Sequence, residues 1–367
     1  MKEKTNYTIF EVKNFMANNK NPFNISFGEE PKELIQRNDE YNEIIDTFTS
    51  ESPSSKALII SGPRGSGKTV LMAQIKKIFD TYEDWICVDL NPFTNMLEDL
   101  ASKLYDKGKL KKLFLAHEFS FSFHGLSFSI SGKNPITNVN ALLEIMLKYL
   151  KEKNIKVLVL IDDIAGNDNV KAFIYSYQSF LRDSYNIFLL MTGLFENISE
   201  LENSNNLTFL LRTPKIFLKN LNPRAITLSY ENIFDLGTDD ALKLAKLTSG
   251  YAYGYQLLGN LLYKNNTNKI SKKILSDYDL SLEENVYGKI WSQLSDKDKT
   301  ICFSMCESNK VSDIVDKANL NNSALQVYKK RLEKQGIIDT SSRGKITFTL
   351  PRFKEFVEFQ KKLLESN

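Results

Sequence analysis

The chain has 367 residues, which is too many for one compact hydrophobic core and indicates two or three domains. Its residues are 42% hydrophobic and 25% charged, with 16 Gly and 9 Pro, which excludes collagen-like, disulfide-framework and wholly disordered proteins. The 48 basic and 45 acidic residues give a net charge of +3, so any surface that binds nucleic acid must be local.

Apolar runs and cysteines place the chain in a reducing compartment. No apolar run is long enough to span a membrane and the N-terminus carries no hydrophobic signal core, so we expect a cytoplasmic protein with no membrane partner. Cys302 and Cys306 lie one helical turn apart, a spacing that could bridge or bind a metal. The chain has only 2 His, however, and we expect reduced core thiols at both positions.

The first half of the chain alternates apolar strands with helices. Residues 1–20 are polar and are predicted to form a loosely held arm, and a helix is predicted from Asp39 to Thr49. Strands alternating with helices indicate a parallel sheet with helices on both faces, so residues 21–220 are predicted to form a three-layer αβα core of the α/β class. The predicted buried strands are Ala57–Ile60, Trp85–Val88, Val157–Ile161 and Ile187–Met191.

After residue 220 the pattern becomes helical. Three helices are predicted over residues 222–234, 239–248 and 253–263, which form a helical lid domain at residues 221–290. In residues 291–367, three helices at 298–306, 311–317 and 323–335 precede two short strands at 337–340 and 345–350. This order is typical of the winged-helix variant of the helix-turn-helix.

Residues 62–69 form a phosphate-binding loop (P-loop) motif. Their sequence, Gly-Pro-Arg-Gly-Ser-Gly-Lys-Thr, matches G-x-x-x-x-G-K-[ST] without a substitution. Glycines let such a loop turn its backbone N–H groups toward phosphate oxygens, and the following helix presents its positive N-terminal end. Lys68 is predicted to reach the β- and γ-phosphates, and the Thr69 hydroxyl to bind Mg²⁺. The predicted nucleotide-binding residues of the loop are Gly62, Arg64, Gly65, Ser66, Gly67, Lys68 and Thr69.

Two later strands end in polar side chains that suit the same chemistry. The strand at residues 156–161 is followed by Asp162, a predicted Mg²⁺ ligand, and by Asp163, which is predicted to orient or deprotonate the attacking water. Alone, such acids are equally typical of the turn that follows a strand. The next strand ends at Thr192, predicted either to hydrogen-bond the γ-phosphate or the lytic water, or simply to close the strand.

The motifs together resemble those of the AAA+ superfamily of P-loop ATPases, and more narrowly the signal-transduction and origin-initiator ATPases that end in a winged helix. The resemblance extends from Phe23 to the C-terminus. Residues 34–40 resemble the family's Gly-Arg-x-x-Glu segment, with Gln36 in place of Gly, which implies that Arg37 lies near the adenine. Residues 248–256 resemble the Gly-x-Pro lid motif without its proline.

The resemblance also implies an arginine that completes a neighbouring subunit's site, as in rings or filaments of AAA+ relatives. Arg212 precedes the last core strand and is the best-placed candidate, with an arginine that covers a sheet edge as the alternative. A homo-oligomer is therefore a possible assembly.

Two segments between the P-loop and the Asp162 strand each allow two interpretations. Residues 118–130 alternate Phe and Ser around His124 and Gly125, which predicts a hairpin that is either buried on the core or protrudes toward DNA or a partner. The basic run Lys107–Lys112 is either a solvated face or a DNA contact.

The C-terminal domain carries the candidate DNA contacts. Its recognition helix is predicted to begin after an N-cap at Ser323 and to pack through Ala324, Val327, Tyr328 and Leu332. We predict weak DNA contact without strong sequence choice, with protein contact as the alternative. The predicted contact residues are Lys329, Lys330 and Lys334 on this helix and Arg343 at the tip of the wing.

The sequence therefore predicts an ATPase that uses ATP and Mg²⁺ and hydrolyses ATP slowly. Its nucleotide state would set the orientation of the lid and winged helix, as in a switch. One alternative is a DNA-binding initiator or transposition-type loader whose assembly on DNA is controlled by ATP. Another is a non-hydrolysing nucleotide-binding scaffold that recruits an effector protein.

Overall fold

The structure is a computed structural model that describes residues 20–26, 28–106, 110, 138–204 and 207–366, with the backbone alone of 121–123 and 126–128. The predicted arm at residues 1–20 lies outside these ranges, except for Lys20. The chain divides into two compact units. The sheet unit consists of Arg37–Ser61 and Lys68–Leu218, and the helical unit of the residues through Gln36, Gly62–Gly67 and Lys219 onward.

The sheet unit contains a parallel sheet of five strands, whose order across the sheet is Trp85–Leu90, Lys156–Ile161, Ile187–Gly193, Ala57–Ser61 and Lys215–Phe217. Alternate residues of its central strands enter two hydrophobic clusters, one on each face, so that Ile59 and Val157 lie on one side and Leu58 and Leu158 on the other. Burial on both faces explains why these strands read as unbroken apolar runs. The strands are β1 Ala57–Ser61, β2 Trp85–Leu90, β3 Phe121–Phe123, β4 Leu126–Phe128, β5 Lys156–Ile161, β6 Ile187–Gly193 and β7 Lys215–Phe217.

Helices connect the parallel strands, as the α/β prediction requires. Two of them begin at asparagine caps: the Asn138 side chain accepts from the N–H groups of Asn140 and Ala141, and Asn167 accepts from Val170. The helices of the sheet unit are α1 Asn38–Thr49, α2 Lys68–Phe79, α3 Met96–Asp106, α4 Val139–Glu152, α5 Asp168–Arg182, α6 Phe195–Glu202 and α7 Phe209–Arg212.

The predicted Phe-rich hairpin is confirmed as a backbone pairing. Strands β3 and β4 run antiparallel, with Phe121 opposite Phe128 and Phe123 opposite Leu126. The side chains of this hairpin lie outside the described residues, so its buried and protruding alternatives both stay predictions. The basic run Lys107–Lys112 also lies outside them, except for Leu110, which is buried.

The helical unit is built around one hydrophobic cluster that extends from Phe23 to Val357. Its α-helices include the six that the sequence predicts and three more, at residues 272–282, 288–293 and 353–365, which were not predicted. The helices are α8 Pro223–Phe234, α9 Thr238–Thr248, α10 Ala252–Lys264, α11 Lys272–Leu282, α12 Gly288–Gln293, α13 Asp296–Glu307, α14 Val311–Lys317, α15 Asn322–Lys334 and α16 Phe353–Glu365. Two short strands, β8 Ile338–Asp339 and β9 Thr347–Phe348, pair antiparallel after α15.

The N-terminal segment is anchored in this unit by Phe23. Its ring stacks on Phe234 with centroids 5.8 Å apart and meets Tyr255 edge-on at 5.6 Å. A Cβ atom on Gly259 would lie 2.4 Å from the Phe23 ring, so only glycine leaves room for it. The backbone N–H of Asn24 donates to Gln256 over 3.0 Å, which ties the same segment to α10.

The prediction for α15 is wrong at its N-cap and at Val327, whereas Leu332 is buried and Tyr328 packs against the hydrophobic cluster as predicted. Helix α15 is capped by Asn321, whose side chain accepts from the Ala324 N–H, and not by Ser323. Its buried residues are Leu325 and Leu332, and Val327 is 67% exposed. The two leucines are seven residues apart and bury more apolar area than Val327 would, so the helix is rotated relative to the prediction.

The three cysteines are free thiols. Burial raises the pKa of Cys87 to about 12 and that of Cys306 to about 11, and it raises the pKa of Cys302 as well. The described residues contain no group of three or more His, Cys, Asp or Glu that could hold a metal ion. No helix in the described part of the chain is long and apolar enough to cross a membrane.

Candidate functional site

The loop Gly62–Gly67 follows β1 and precedes α2 in the chain, and its backbone conformation depends on glycine. Gly65 and Gly67 have φ angles of +73° and +94°, in the region that side chains with a Cβ rarely adopt. The Ser66 N–H donates to the Pro63 carbonyl over 3.2 Å and closes a turn within the loop. This turn of left-handed glycines has the backbone character of an anion-binding nest.

In the sheet unit, Thr69 and Asp162 are brought together as the sequence predicts. Thr69 lies in the first turn of α2, and its hydroxyl donates to one carboxylate oxygen of Asp162 over 2.8 Å. Asp162 directly follows β5 and is partly buried. A hydroxyl and a carboxylate at this distance are both oxygen ligands of the kind that Mg²⁺ prefers, so the two residues fit the predicted metal ion.

Thr192 completes a small hydrogen-bonded group around Asp162. Its fully buried hydroxyl donates to the second carboxylate oxygen of Asp162 and accepts from the Asp163 N–H over 2.9 Å. The contact follows from the sheet, because β5 and β6 pair in parallel with Ile161 opposite Met191. Thr192 therefore orients the carboxylate of Asp162, a role that neither sequence-based alternative contained.

Asp163 occupies an exposed turn immediately after Asp162. Its φ angle is +53°, a left-handed conformation that Asp tolerates better than most residues. The Asp163 N–H donates to the Thr192 hydroxyl, which holds the backbone, and the residue is exposed, so its carboxylate is accessible to water. Its role as the base stays a prediction.

The two candidate arginines of the sheet unit differ in exposure. The Arg37 side chain is 10% exposed and lies 3.5 Å from the Glu40 carboxylate, and its burial lowers its pKa. Arg212 is exposed at the end of α7, next to Leu211, which is 58% exposed. The edge strand β7 begins three residues later at Lys215, so Arg212 lies near a border of the sheet. Both assignments stay predictions.

The basic residues of the C-terminal region differ in exposure. On α15, Lys330 and Lys334 are exposed and Lys329 is partly buried. Arg343, in the turn between β8 and β9, is also exposed. Arg331 belongs to the fold instead, because it donates to the buried carboxylate of Asp298 over 2.5 Å.

Three exposed side chains of α15 were not among the predicted contact residues, namely those of Asn322, Gln326 and Val327. An amide can pair with an adenine edge and a branched apolar side chain can contact a thymine methyl group. The two amides could have been found from the sequence, because both lie opposite the predicted packing face as well.

Two family models match parts of the chain. The KAP family P-loop domain matches residues 37–192, and a domain of unknown function, DUF8462, matches residues 284–357. No curated protein sequence is significantly similar to the chain.

Several solved structures share the fold over most of the chain. The Walker-type ATPase PABY2304 of Pyrococcus abyssi is 12% identical, with 89% of this chain and 96% of that chain covered and a TM-score of 0.61. The ORC2 protein of Aeropyrum pernix, in its ADPNP–ADP complexes, is 14% identical, with coverages of 94% and 98% and a TM-score of 0.56. The chain therefore has the α/β fold of P-loop NTPases, which it shares with these two structures.

Proposed function

We propose that this protein is a nucleotide-controlled switch that binds ATP with Mg²⁺ at residues 62–69 and hydrolyses it slowly. The observation that carries the proposal is the hydrogen-bonded group of Thr69, Asp162 and Thr192 in a chain with an intact P-loop motif. Thr69 and Asp162 would hold the metal ion, which neutralises developing phosphate charge when it is bound. The glycine-rich loop and Lys68 would bind the phosphate oxygens.

Asp163 is our candidate for the group that activates water. We expect Asp163→Asn to bind nucleotide within about twofold of the parent and to lower kcat by about a hundredfold, since a general base typically contributes 10²–10⁴ in rate. Steady-state phosphate release and equilibrium binding would measure the two effects separately. Asp183→Asn, also at an exposed position of the sheet unit, is the matched control and should change neither. Normal turnover in Asp163→Asn would contradict the assignment.

The same measurements separate the alternatives. A parent protein that binds ATP tightly but shows no turnover is a non-hydrolysing scaffold, whereas turnover stimulated by duplex DNA favours an initiator or loader. Arg212, exposed at the border of the sheet, is our candidate for completing the site of a second copy.

A contact inside the helical unit supports the switch. A Cβ atom on Gly336 would lie 2.8 Å from Pro63 Cγ, so the turn between α15 and β8 packs closely on the phosphate loop. Gly336 also has a φ angle of +72°, which favours glycine independently. We propose that a change in the loop on nucleotide binding reaches the C-terminal region through this contact.

We propose further that the C-terminal region is a winged helix that contacts duplex DNA. The order α13, α14, α15, β8 and β9 supports this proposal. An isolated antiparallel β-bridge between Lys310 and Lys345 supports it as well, because it pairs the segment before α14 with the hairpin. The exposed cations at positions 330, 334 and 343 suit phosphate contacts.

Charge reversal tests the DNA proposal. We expect the triple variant Lys330→Glu, Lys334→Glu and Arg343→Glu to abolish DNA binding in an anisotropy titration with ATP present. Parent affinity should fall by about two decades between 50 and 200 mM salt if three to five phosphates are contacted. The control reverses three other exposed lysines of the helical unit, at positions 264, 272 and 273, with the same change in net charge. Equal loss in both variants, or binding that is independent of salt, would favour a protein partner.

A further inference from the structure

We propose that Tyr251 is a positioning residue for the phosphate loop and that its hydroxyl holds the loop in the shape that binds nucleotide. The inference rests on the proposed function, because it takes nucleotide phosphate as the ligand of the loop. It concerns only the helical unit, which contains both Gly62–Gly67 and the start of α10.

Two hydrogen bonds join the loop to the start of α10. The Tyr251 hydroxyl donates to the Arg64 carbonyl over 2.5 Å, and the Tyr253 backbone N–H donates to the Gly65 carbonyl over 3.0 Å. Tyr251 is the N-cap residue of α10 and is 1% exposed, so its hydroxyl reaches the loop from inside the hydrophobic cluster. Two successive carbonyl groups of the loop are thus held by one short segment.

Holding the Arg64 carbonyl also sets the direction of an N–H group. The peptide bond between Arg64 and Gly65 is planar and trans, so its N–H points opposite to its carbonyl. With the carbonyl bonded to Tyr251, the Gly65 N–H faces away from that hydroxyl. An N–H group fixed before the ligand arrives loses less conformational entropy on binding.

The glycine at position 65 is explained by the same contact. The P-loop motif allows any residue at this position, because it is one of the four variable residues between the required glycines. Here a Cβ atom would lie 2.2 Å from the Tyr251 hydroxyl oxygen and 3.0 Å from Tyr253 Cβ. Position 65 must therefore remain glycine for Tyr251 to approach, in addition to its positive φ angle.

The hydroxyl remains a hydrogen-bond donor throughout the physiological range, since burial raises the pKa of Tyr251 well above its ordinary value. Removal of this one oxygen would leave the Arg64 carbonyl without that donor while keeping the aromatic ring and its packing. The substitution Tyr251→Phe thus tests the hydrogen bond with little change in volume.

We expect Tyr251→Phe in the full chain to weaken binding of ATP and of ADP about five- to tenfold, as the loss of one buried hydrogen bond predicts. Both nucleotides should be affected alike, because the loop binds phosphates that they share. In turnover, KM should rise while kcat stays unchanged, which is the pattern for lost ground-state binding.

The matched control is Tyr255→Phe. Tyr255 lies on the same helix and is equally buried, but its hydroxyl pairs with Ser229 over 2.6 Å and not with the loop. A role in stability alone would make both variants melt earlier and bind nucleotide equally well. A selective loss of affinity in Tyr251→Phe would support the proposal, and equal affinities in the two variants would overturn it.

Two further outcomes need their own controls, namely a parent protein that binds no nucleotide and a Tyr251→Phe variant that does not fold. If the parent protein binds neither ATP nor ADP, the proposed function itself fails, which is a different result from equal binding by parent and variant. If Tyr251→Phe does not fold, Gly65→Ala should show the same loss of affinity, with Gly344→Ala as a control that has the same φ angle of +73° but no atom within 4 Å of the added Cβ. Unchanged affinity in Gly65→Ala would overturn the proposal.

Discussion

Replacing Lys68 with alanine is expected to abolish tight nucleotide binding. Lys68 is the first residue of α2 and the lysine of the P-loop motif, and it would bring one positive charge to the β- and γ-phosphates. A hydrogen bond to a charged group contributes about 1.5–3 kcal/mol, so loss of two such bonds costs about 3–6 kcal/mol. At about 1.4 kcal/mol per decade, Kd should rise by about two to four decades.

The loss of nucleotide binding in Lys68→Ala should also be measurable as a loss of the stability that nucleotide adds to the folded protein. A ligand present at about 100 times its Kd stabilises the folded protein by about 2.7 kcal/mol, and this stabilisation should vanish in Lys68→Ala. Lys77→Ala is the matched control, because it removes the same charge from an exposed position in the last turn of the same helix. Both variants should unfold like the parent without nucleotide. If ATP still stabilised Lys68→Ala as it stabilises the parent, the assignment of the P-loop motif to the nucleotide site would be contradicted.

The sheet and the hydrogen-bonded group around Asp162 could be predicted in large part because local patterns specify them. The P-loop motif is contiguous, and Asp162 follows an apolar run whose length fits a strand buried on both faces. Parallel neighbours then bring the ends of β5 and β6 together, which places Thr192 beside Asp162. What the pattern did not contain is the direction of the Thr192 hydroxyl, which depends on side-chain packing.

The contacts of the helical unit could not be predicted for a different reason. Tyr251 and Arg64 are 187 residues apart, and nothing in either local sequence marks them as partners. The prediction for α15 placed Val327 in the core and left out Leu325, because the apolar residues of this helix allow two overlapping stripes and only the packing of the folded unit selects between them. Long-range packing decided both cases.

The second large effect concerns Phe23, which anchors its segment in the helical unit. It is 3% exposed and packs against three aromatic rings of the helical unit, those of Tyr230, Phe234 and Tyr255. Truncation of a buried phenylalanine leaves a cavity and costs about 3–5 kcal/mol. Domains are stable by only about 5–15 kcal/mol, so Phe23→Ala should remove a large part of the stability of the helical unit.

Denaturant unfolding would measure this loss, with the matched control Phe359→Ala at a residue of the same unit that is 50% exposed. The chain's 2 Trp lie one in each unit, Trp85 in the sheet unit and Trp291 in the helical unit, so a Trp85→Phe background reports the helical unit by fluorescence. In that background Phe23→Ala should lower the midpoint at unchanged slope, whereas Phe359→Ala should change the free energy of unfolding by no more than about 0.5 kcal/mol. A midpoint equal to that of the parent would mean that the segment around Phe23 does not pack into the helical unit in solution.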